Sequence, residues 1–270
     1  MKVKVIEYNV LNGFCGDKTP YKLNEKRLSL FIKFVKKENP DILILTEAYF
    51  FPFAKKDSLA DLDKTFRDLY NENSDLAHNY FRWAPVILSK FEIENFDISF
   101  SKYHFNYLKA NLKINGKKIT IDVFHPHPDT TEEEKANFLE MVLKNKTDNY
   151  VLVGDFNSLS PEDSYDERKL IRGYESFMKS KGKAKVEDML RGLVVKRILK
   201  NGLFDTYKTG KNGTDFTIPT DLMSRNKDAA ARIDYIFASK NFKTLESGII
   251  KNQTTEQISD HYPVYAVLEI

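Results

Sequence analysis

The chain has 270 residues, of which 41% are hydrophobic and 30% charged, with only 11 glycines and 9 prolines. That balance excludes a disordered, collagen-like or low-complexity chain and predicts a single globular domain over 1–270. Lys and Arg number 42 and Asp and Glu 39, so the formal charge of +3 is too small to argue by itself for a polyanionic partner.

A lone cysteine, Cys15, excludes an internal disulfide and a thiolate zinc cluster. No apolar stretch reaches the roughly 18 residues of a spanning helix, and the N-terminus alternates like a strand rather than a signal peptide, so the expectation is a cytoplasmic protein without a membrane partner. From Lys2 to Tyr8, Val3 and Val5 share one face, and Asn9 stands where the strand pattern ends. Leu28, Phe31, Phe34 and Val35 recur at helical spacing between Asn24, a fitting N-cap, and Pro40. Ile42 to Leu45 is a short apolar run typical of a strand covered on both faces, and it ends in Thr46-Glu47. The aromatic-rich stretch Tyr49 to Phe53 reads as a loop, Leu59 to Asn71 as a helix, and Val86 to Leu88 as a strand.

Leu108 to Ile114 and Ile119 to Val123 alternate on either side of Asn115-Gly116, a hairpin signature. The second strand runs out at Phe124-His125-Pro126-His127. Thr131 and Glu134 form a capping box for a helix through Lys146, with Phe138, Met141, Val142 and Leu143 turned inward. Tyr150 to Val153 is a buried strand leading into Gly154-Asp155-Phe156-Asn157. Residues 162–200 are charged and helical, and Lys179, Lys181, Lys183 and Lys185 form either a phosphate-attracting stripe or a solvated helical face. Two strands close the chain, Ile233 to Ala238 and Pro263 to Ile270.

Polar residues gather at the ends of these strands: Asn9, Glu47, His125, Asp155, Asn157, Asp260 and His261, with Asp234 inside one. Active sites of sheet proteins form at strand ends. If Glu47, Asp155, Asp234 and Asp260 converge, their mutual repulsion, about 4 kcal/mol per pair at ~4 Å and an effective dielectric of 20, must be relieved by protons or a cation. Oxygen donors without thiolates suit Mg²⁺ or Mn²⁺, ions that assist phosphoryl chemistry.

The segments Tyr8-Asn9-Val10-Leu11-Asn12-Gly13, Ile44-Leu45-Thr46-Glu47, Gly154-Asp155-Phe156-Asn157, Arg232-Ile233-Asp234-Tyr235 and Ser259-Asp260-His261, in that order, resemble the endonuclease/exonuclease/phosphatase superfamily of pancreatic-deoxyribonuclease-like fold. The resemblance covers nearly the whole chain. It implies a four-layer α/β/β/α sandwich of two packed mixed sheets and a metal-dependent hydrolase. By the same resemblance Glu47, Asn9 and Asp260 would bind Mg²⁺ or Mn²⁺, and Asp234 would pair with His261. Asp155 and Asn157 would orient the attacking water and hold the phosphate. His125 would contact phosphate, with His127 as the other candidate because this chain reads His-Pro-His-Pro at that point. Asn12, Asp205 and Arg232 are candidates for shaping or steadying the site.

The first and second of these segments, and the residues Ala230-Ala231 leading into the fourth, depart from those typical of apurinic endonucleases, and the Trp-Cys-Asp-Arg motif of inositol-phosphate 5-phosphatases is absent. The resemblance therefore implies a phosphodiesterase with nucleic acid, DNA or RNA, as its substrate, cleaving as an endonuclease or an exonuclease. A phosphatase or phosphodiesterase on a small-molecule or lipid phosphoester is the alternative, and a catalytically silent binding module a third reading.

Overall fold

The computed structural model describes residues 1–16, 19–48, 64, 66–70, 85–97, 105–208, 215–222 and 226–270. In chain order the first elements are β1 (Lys2–Asn9), β2 (Cys15–Gly16), β3 (Thr19–Leu23), α1 (Glu25–Glu38), β4 (Ile42–Thr46) and β5 (Val86–Ser89). The central part holds β6 (Glu92–Asp97), β7 (Phe105–Ile114), β8 (Lys117–Pro126), α2 (Glu132–Leu143) and β9 (Tyr150–Asp155). Three helices follow, α3 (Glu167–Met178), α4 (Lys181–Leu190) and α5 (Leu193–Lys200). Strands β10 (Leu203–Asp205), β11 (Asp234–Ser239), β12 (Lys243–Ile249) and β13 (Val264–Glu269) complete the chain.

Two mixed sheets result, one ordered β12-β13-β1-β4-β5 and the other β10-β11-β9-β8-β7-β6. Their inner faces bury one apolar layer, with Val3, Val5, Ile42 and Ile44 from the first sheet against Leu108, Ile121, Val123, Val151, Val153 and Ile236 from the second. The alternation of each strand then turns the other set of side chains outward. Ile6, Tyr8, Leu43 and Leu45 pack under α1, together with Phe66 and Tyr70 of a helical stretch at 66–70. Phe124, Tyr150, Leu152, Tyr235 and Phe237 pack under α2 and α5. The four layers are the α/β/β/α sandwich expected.

Local signals act as read. Asn24 accepts from the Arg27 amide at the start of α1, and both halves of the Thr131–Glu134 capping box form. The hairpin turns at Asn115 and Gly116, both at positive φ (51° and 76°), with Ile114 opposite Lys117. Several expectations need correction. Helix α2 ends at Leu143 rather than Lys146, and Met141 is exposed while Leu139 takes the inward place. Residues 162–200 divide into three helices. Asp234 opens its strand instead of lying within it. The aromatic stretch 49–53, Trp83 and all of the predicted 59–71 helix but 64 and 66–70 lie outside the described residues.

Strand direction decides where the polar ends meet. β1 and β4 run parallel, as do β8 and β9, so Asn9, Glu47, His125 and Asp155 leave their strands at one edge of the sandwich. β11 and β13 run antiparallel to β9 and β1, so their starting residues come to that same edge. Asp234 stands directly opposite Asp155.

Candidate active site

Period-two alternation aims the site residues as well as gathering them. Val151, Val153 and Asp155 face inward on β9; Ile119, Ile121, Val123 and His125 do so on β8; Val3, Val5, Glu7 and Asn9 do so on β1. The last inward residue of each strand is therefore polar and lies where the apolar layer meets solvent. Gly154 allows the close fit of β9 against β8: its φ is +142°, and a Cβ there would stand 2.2 Å from the Phe124 carbonyl oxygen.

Asn9 is the hub joining the two sheets. Its Nδ2 donates to Glu47 Oε1 at 3.3 Å and to Asp155 Oδ2 at 3.1 Å, while its Oδ1 accepts from the Leu11 amide at 3.0 Å. The Asn12 amide donates to Glu47 Oε2 at 2.8 Å, which gives Asn12 a role through its backbone. His125 Nε2 lies 3.9 Å from Glu47 Oε1 and 3.8 Å from Asp155 Oδ2. His127 sits farther out, its Nδ1 accepting from the Asp129 amide at 3.2 Å, so of the two histidines it is His125 that joins the carboxylates.

His261 Nδ1 lies 3.0 and 2.9 Å from the two carboxylate oxygens of Asp234. Its Nε2 is 3.9 Å from Asp155 and 4.0 Å from Asp260. Burial alone would push the ring's pKa down, but Asp234, Asp260 and Asp155 outweigh it and hold the imidazole well above its usual range. Burial, and then the neighbouring charge of Asp234, push the Asp155 carboxyl up. Asp155 Oδ1 accepts from the Asn157 amide at 2.9 Å, and Asn157 itself is held at a left-handed φ of 47°.

The residues that hold this constellation gave weaker sequence signals. Lys135, fully buried on α2, donates to the Asn157 carbonyl at 2.6 Å and pairs with Glu132 at 2.8 Å, fixing the strained turn from behind. Arg27 donates to the carbonyls of Ile258, Cys15, Val10 and Leu11, tying the loop after β1 to the segment before Asp260. Arg232 is buried, in ion pairs with Asp163 at 2.9 Å and Asp205 at 2.6 Å, and so steadies the start of β11 without reaching solvent. Glu7 is fully buried below Asn9 and accepts from Thr46 Oγ1 at 3.1 Å; burial, then Asp234 and Asp155, push its carboxyl well up. Its inward place in the alternation after Val3 and Val5 was the available clue.

Glu47, Asp155, Asp234 and Asp260 thus bring four carboxyl groups together beside two imidazoles, with Glu7 below them, a set of oxygen donors that fits a hard cation. Asp155, Asp234 and His261 each bring one ligand atom within 4.8 Å of the others, a set that could hold a metal ion. Glu47 and Asp260 add oxygen donors at the same cleft, as their place in its lining shows.

Of the two readings of the lysines at 179–185, the solvated face fits three of the four. Lys179, Lys181 and Lys183 are exposed, with Lys183 pairing Glu187 at 3.7 Å, whereas Lys185 turns into the cleft and donates to the Pro128 carbonyl. Burial pushes the Lys185 ammonium down to about 8.

With fold and site in place, comparison with known proteins gives the family. The model of the endonuclease/exonuclease/phosphatase family matches residues 6–261, and the chain belongs to that family. Among solved structures, an AP endonuclease from Archaeoglobus fulgidus is 20% identical with a TM-score of 0.64, over 99% of this chain and 100% of that one. Truncated TDP2 from Caenorhabditis elegans is 18% identical with a TM-score of 0.65, over 100% and 98%. TDP2 from D. rerio complexed with a single-strand DNA product is 16% identical with a TM-score of 0.62, over 100% and 99%. No curated protein sequence matches the chain. Among the described residues, no helix is long and apolar enough to cross a membrane.

Proposed function

We propose that the chain is a divalent-metal-dependent phosphodiesterase that hydrolyses nucleic acid in a single step. The observation that carries this reading is the convergence of Glu47, Asp155 and Asp260 with His125 and His261 in the lining of one cleft, with Asp234 behind them on the ring of His261. Solved neighbours that carry nuclease or DNA-complex names support the substrate class.

In this reading Asp155 and Asn157 orient the attacking water, and Asp155, its carboxyl pushed up by burial and then by Asp234, takes the water's proton. Asp234 fixes the ring of His261 so that Nε2 faces the phosphate as a charged donor, stabilising the oxygens of the transition state. His125 adds a second ring beside Asp155, its Nε2 3.8 Å from the same Oδ2 that His261 approaches at 3.9 Å. Glu47, Asn9 and Asp260 would hold Mg²⁺ or Mn²⁺, which would polarise the phosphate and offset charge on the leaving oxygen. The two sheets thus divide the work: the first carries cation ligands and the second the groups that handle water.

A panel of single-stranded DNA, duplex DNA, RNA and small phosphodiesters, with and without chelator, tests the proposal. Hydrolysis should require added Mg²⁺ or Mn²⁺ and fall by roughly 10²-fold or more in Glu47→Gln. Full activity in excess chelator, or in that variant, would refute it. Turnover confined to small phosphoesters would move the substrate class to the alternative.

A further inference from the structure

The cleft extends beyond what hydrolysis of a phosphate needs. It has a volume of about 400 Å³, and from the carboxylates it continues along a wall formed by Tyr174, Phe177 and Met178 of α3 and Met189 of α4. Clefts of roughly 300–1,000 Å³ take whole small ligands rather than single ions. Tyr174 and Met189 belong to one buried cluster with Ile218 and Ile233, so the wall is backed by core packing and joins the catalytic strand at the residue before Asp234.

Close backbone packing fixes this wall. A Cβ on Gly173 would lie 2.2 Å from the Ala229 nitrogen, and one on Gly182 would lie 2.5 Å from the Glu175 nitrogen, so α3 is pressed against the segment at 227–229 and α4 against α3. At its rim Phe177 is 42% exposed, its ring 5.2 Å from that of Tyr174. Leaving an aromatic ring and a thioether at the mouth of a rigid cleft costs apolar hydration that an apolar ligand would relieve. The same lining carries polar groups as well, with Lys185, Asn106 and Asp129. An alkyl chain has no use for them, whereas a heteroaromatic ring stacks through its face and hydrogen-bonds through its rim.

We propose that this wall is a stacking subsite for the nucleobase of the nucleotide bearing the scissile phosphate, with Phe177 and Met178 as the platform and Lys185 and Asn106 as its polar groups. The proposal rests on the phosphodiesterase reading for the phosphate's place, and it makes the helical segment after Asn157 the part of this chain that selects substrate.

The test measures binding of thymidine 5′-phosphate, deoxyribose 5-phosphate and octyl phosphate to the full chain in Mg²⁺, beside Phe177→Ala and Met178→Ala. The nucleotide should bind roughly tenfold more tightly than the base-free sugar phosphate. Each variant should shrink that ratio while leaving deoxyribose phosphate affinity unchanged. Equal affinities, tighter binding of octyl phosphate, or a ratio indifferent to both variants would overturn the subsite. Hydrolysis of thymidylyl-thymidine, measured in parallel, separates the two readings. A chain that keeps the binding ratio yet hydrolyses no phosphodiester supports the subsite and refutes the hydrolytic function.

Discussion

Two buried carboxylates on the second sheet differ in what their surroundings ask of them. Asp234 is matched by the ring of His261, and the pair should behave as one unit. Asp234→Asn and His261→Ala should each lower kcat by roughly 10²- to 10⁴-fold, with the double variant scarcely worse; additive losses would separate them. Asp122, on the helix-facing side of β8, faces Lys109 across the β7–β8 pair, but burial dominates its titration. Burial outweighs the Tyr150 hydroxyl that donates to it and pushes its carboxyl from 3.8 up to about 6. Between those values the folded state keeps a proton that the unfolded chain releases, so this group's contribution to stability is present at low pH and is lost as pH rises through about 6. At pH 8 the charged form costs at most about 3 kcal/mol. Asp122→Asn should therefore be more stable relative to the natural chain at pH 8 than at pH 5, as measured by urea denaturation at each pH. An equal difference at both would contradict the assignment.

Elements rather than single residues set the precision of the site. The loop after β1 carries the Asn9–Leu11 turn and the amide that holds Glu47, yet its carbonyls are satisfied by a side chain from α1. Arg27→Met would leave buried acceptors without donors and should cost on the order of 3 kcal/mol, seen as a lower denaturation midpoint. Arg27→Lys, a point charge without the planar fork, should recover only part of it. Among the elements themselves, legibility in the sequence followed burial. Strands whose inward residues are apolar, such as Ile119 to Val123, announced themselves. Strands β6 and β12 lie at sheet edges, β6 with mostly exposed side chains and β12 with only Ser247 buried, and neither Glu92–Asp97 nor Lys243–Ile249 shows the alternation that marks a half-buried strand.

Across the whole molecule, the layers and the site residues were legible because both follow from the same alternation. The apolar inward residues define the sandwich, and the polar residue that ends each series defines the site. Among the supports Arg232 was a candidate beside its motif, but Arg27 and Lys135 were not legible, because a buried cation in the sequence looks like any surface one until tertiary contacts supply its acceptors. The wall of Tyr174, Phe177 and Met178 escaped for a related reason: helical spacing of apolar residues shows that a face is covered, not that part of it borders a cleft.

The strand order also fixes a sequence of events in time. The second sheet is built entirely from residues between Glu92 and Ser239, whereas the first joins β1 to β13 at its centre, pairing Lys2 with Glu269. Closing so long a stretch of chain is slow beside forming the β7–β8 hairpin. Amides of β7, β8 and β9 should thus gain protection in pulse-labelled refolding before those of β1 and β13, and the reverse order would refute the scheme. Since Asn9 and Glu47 come from the late sheet and Asp155 and Asp234 from the early one, catalytic competence should be the last property to appear, trailing the recovery of far-UV circular dichroism.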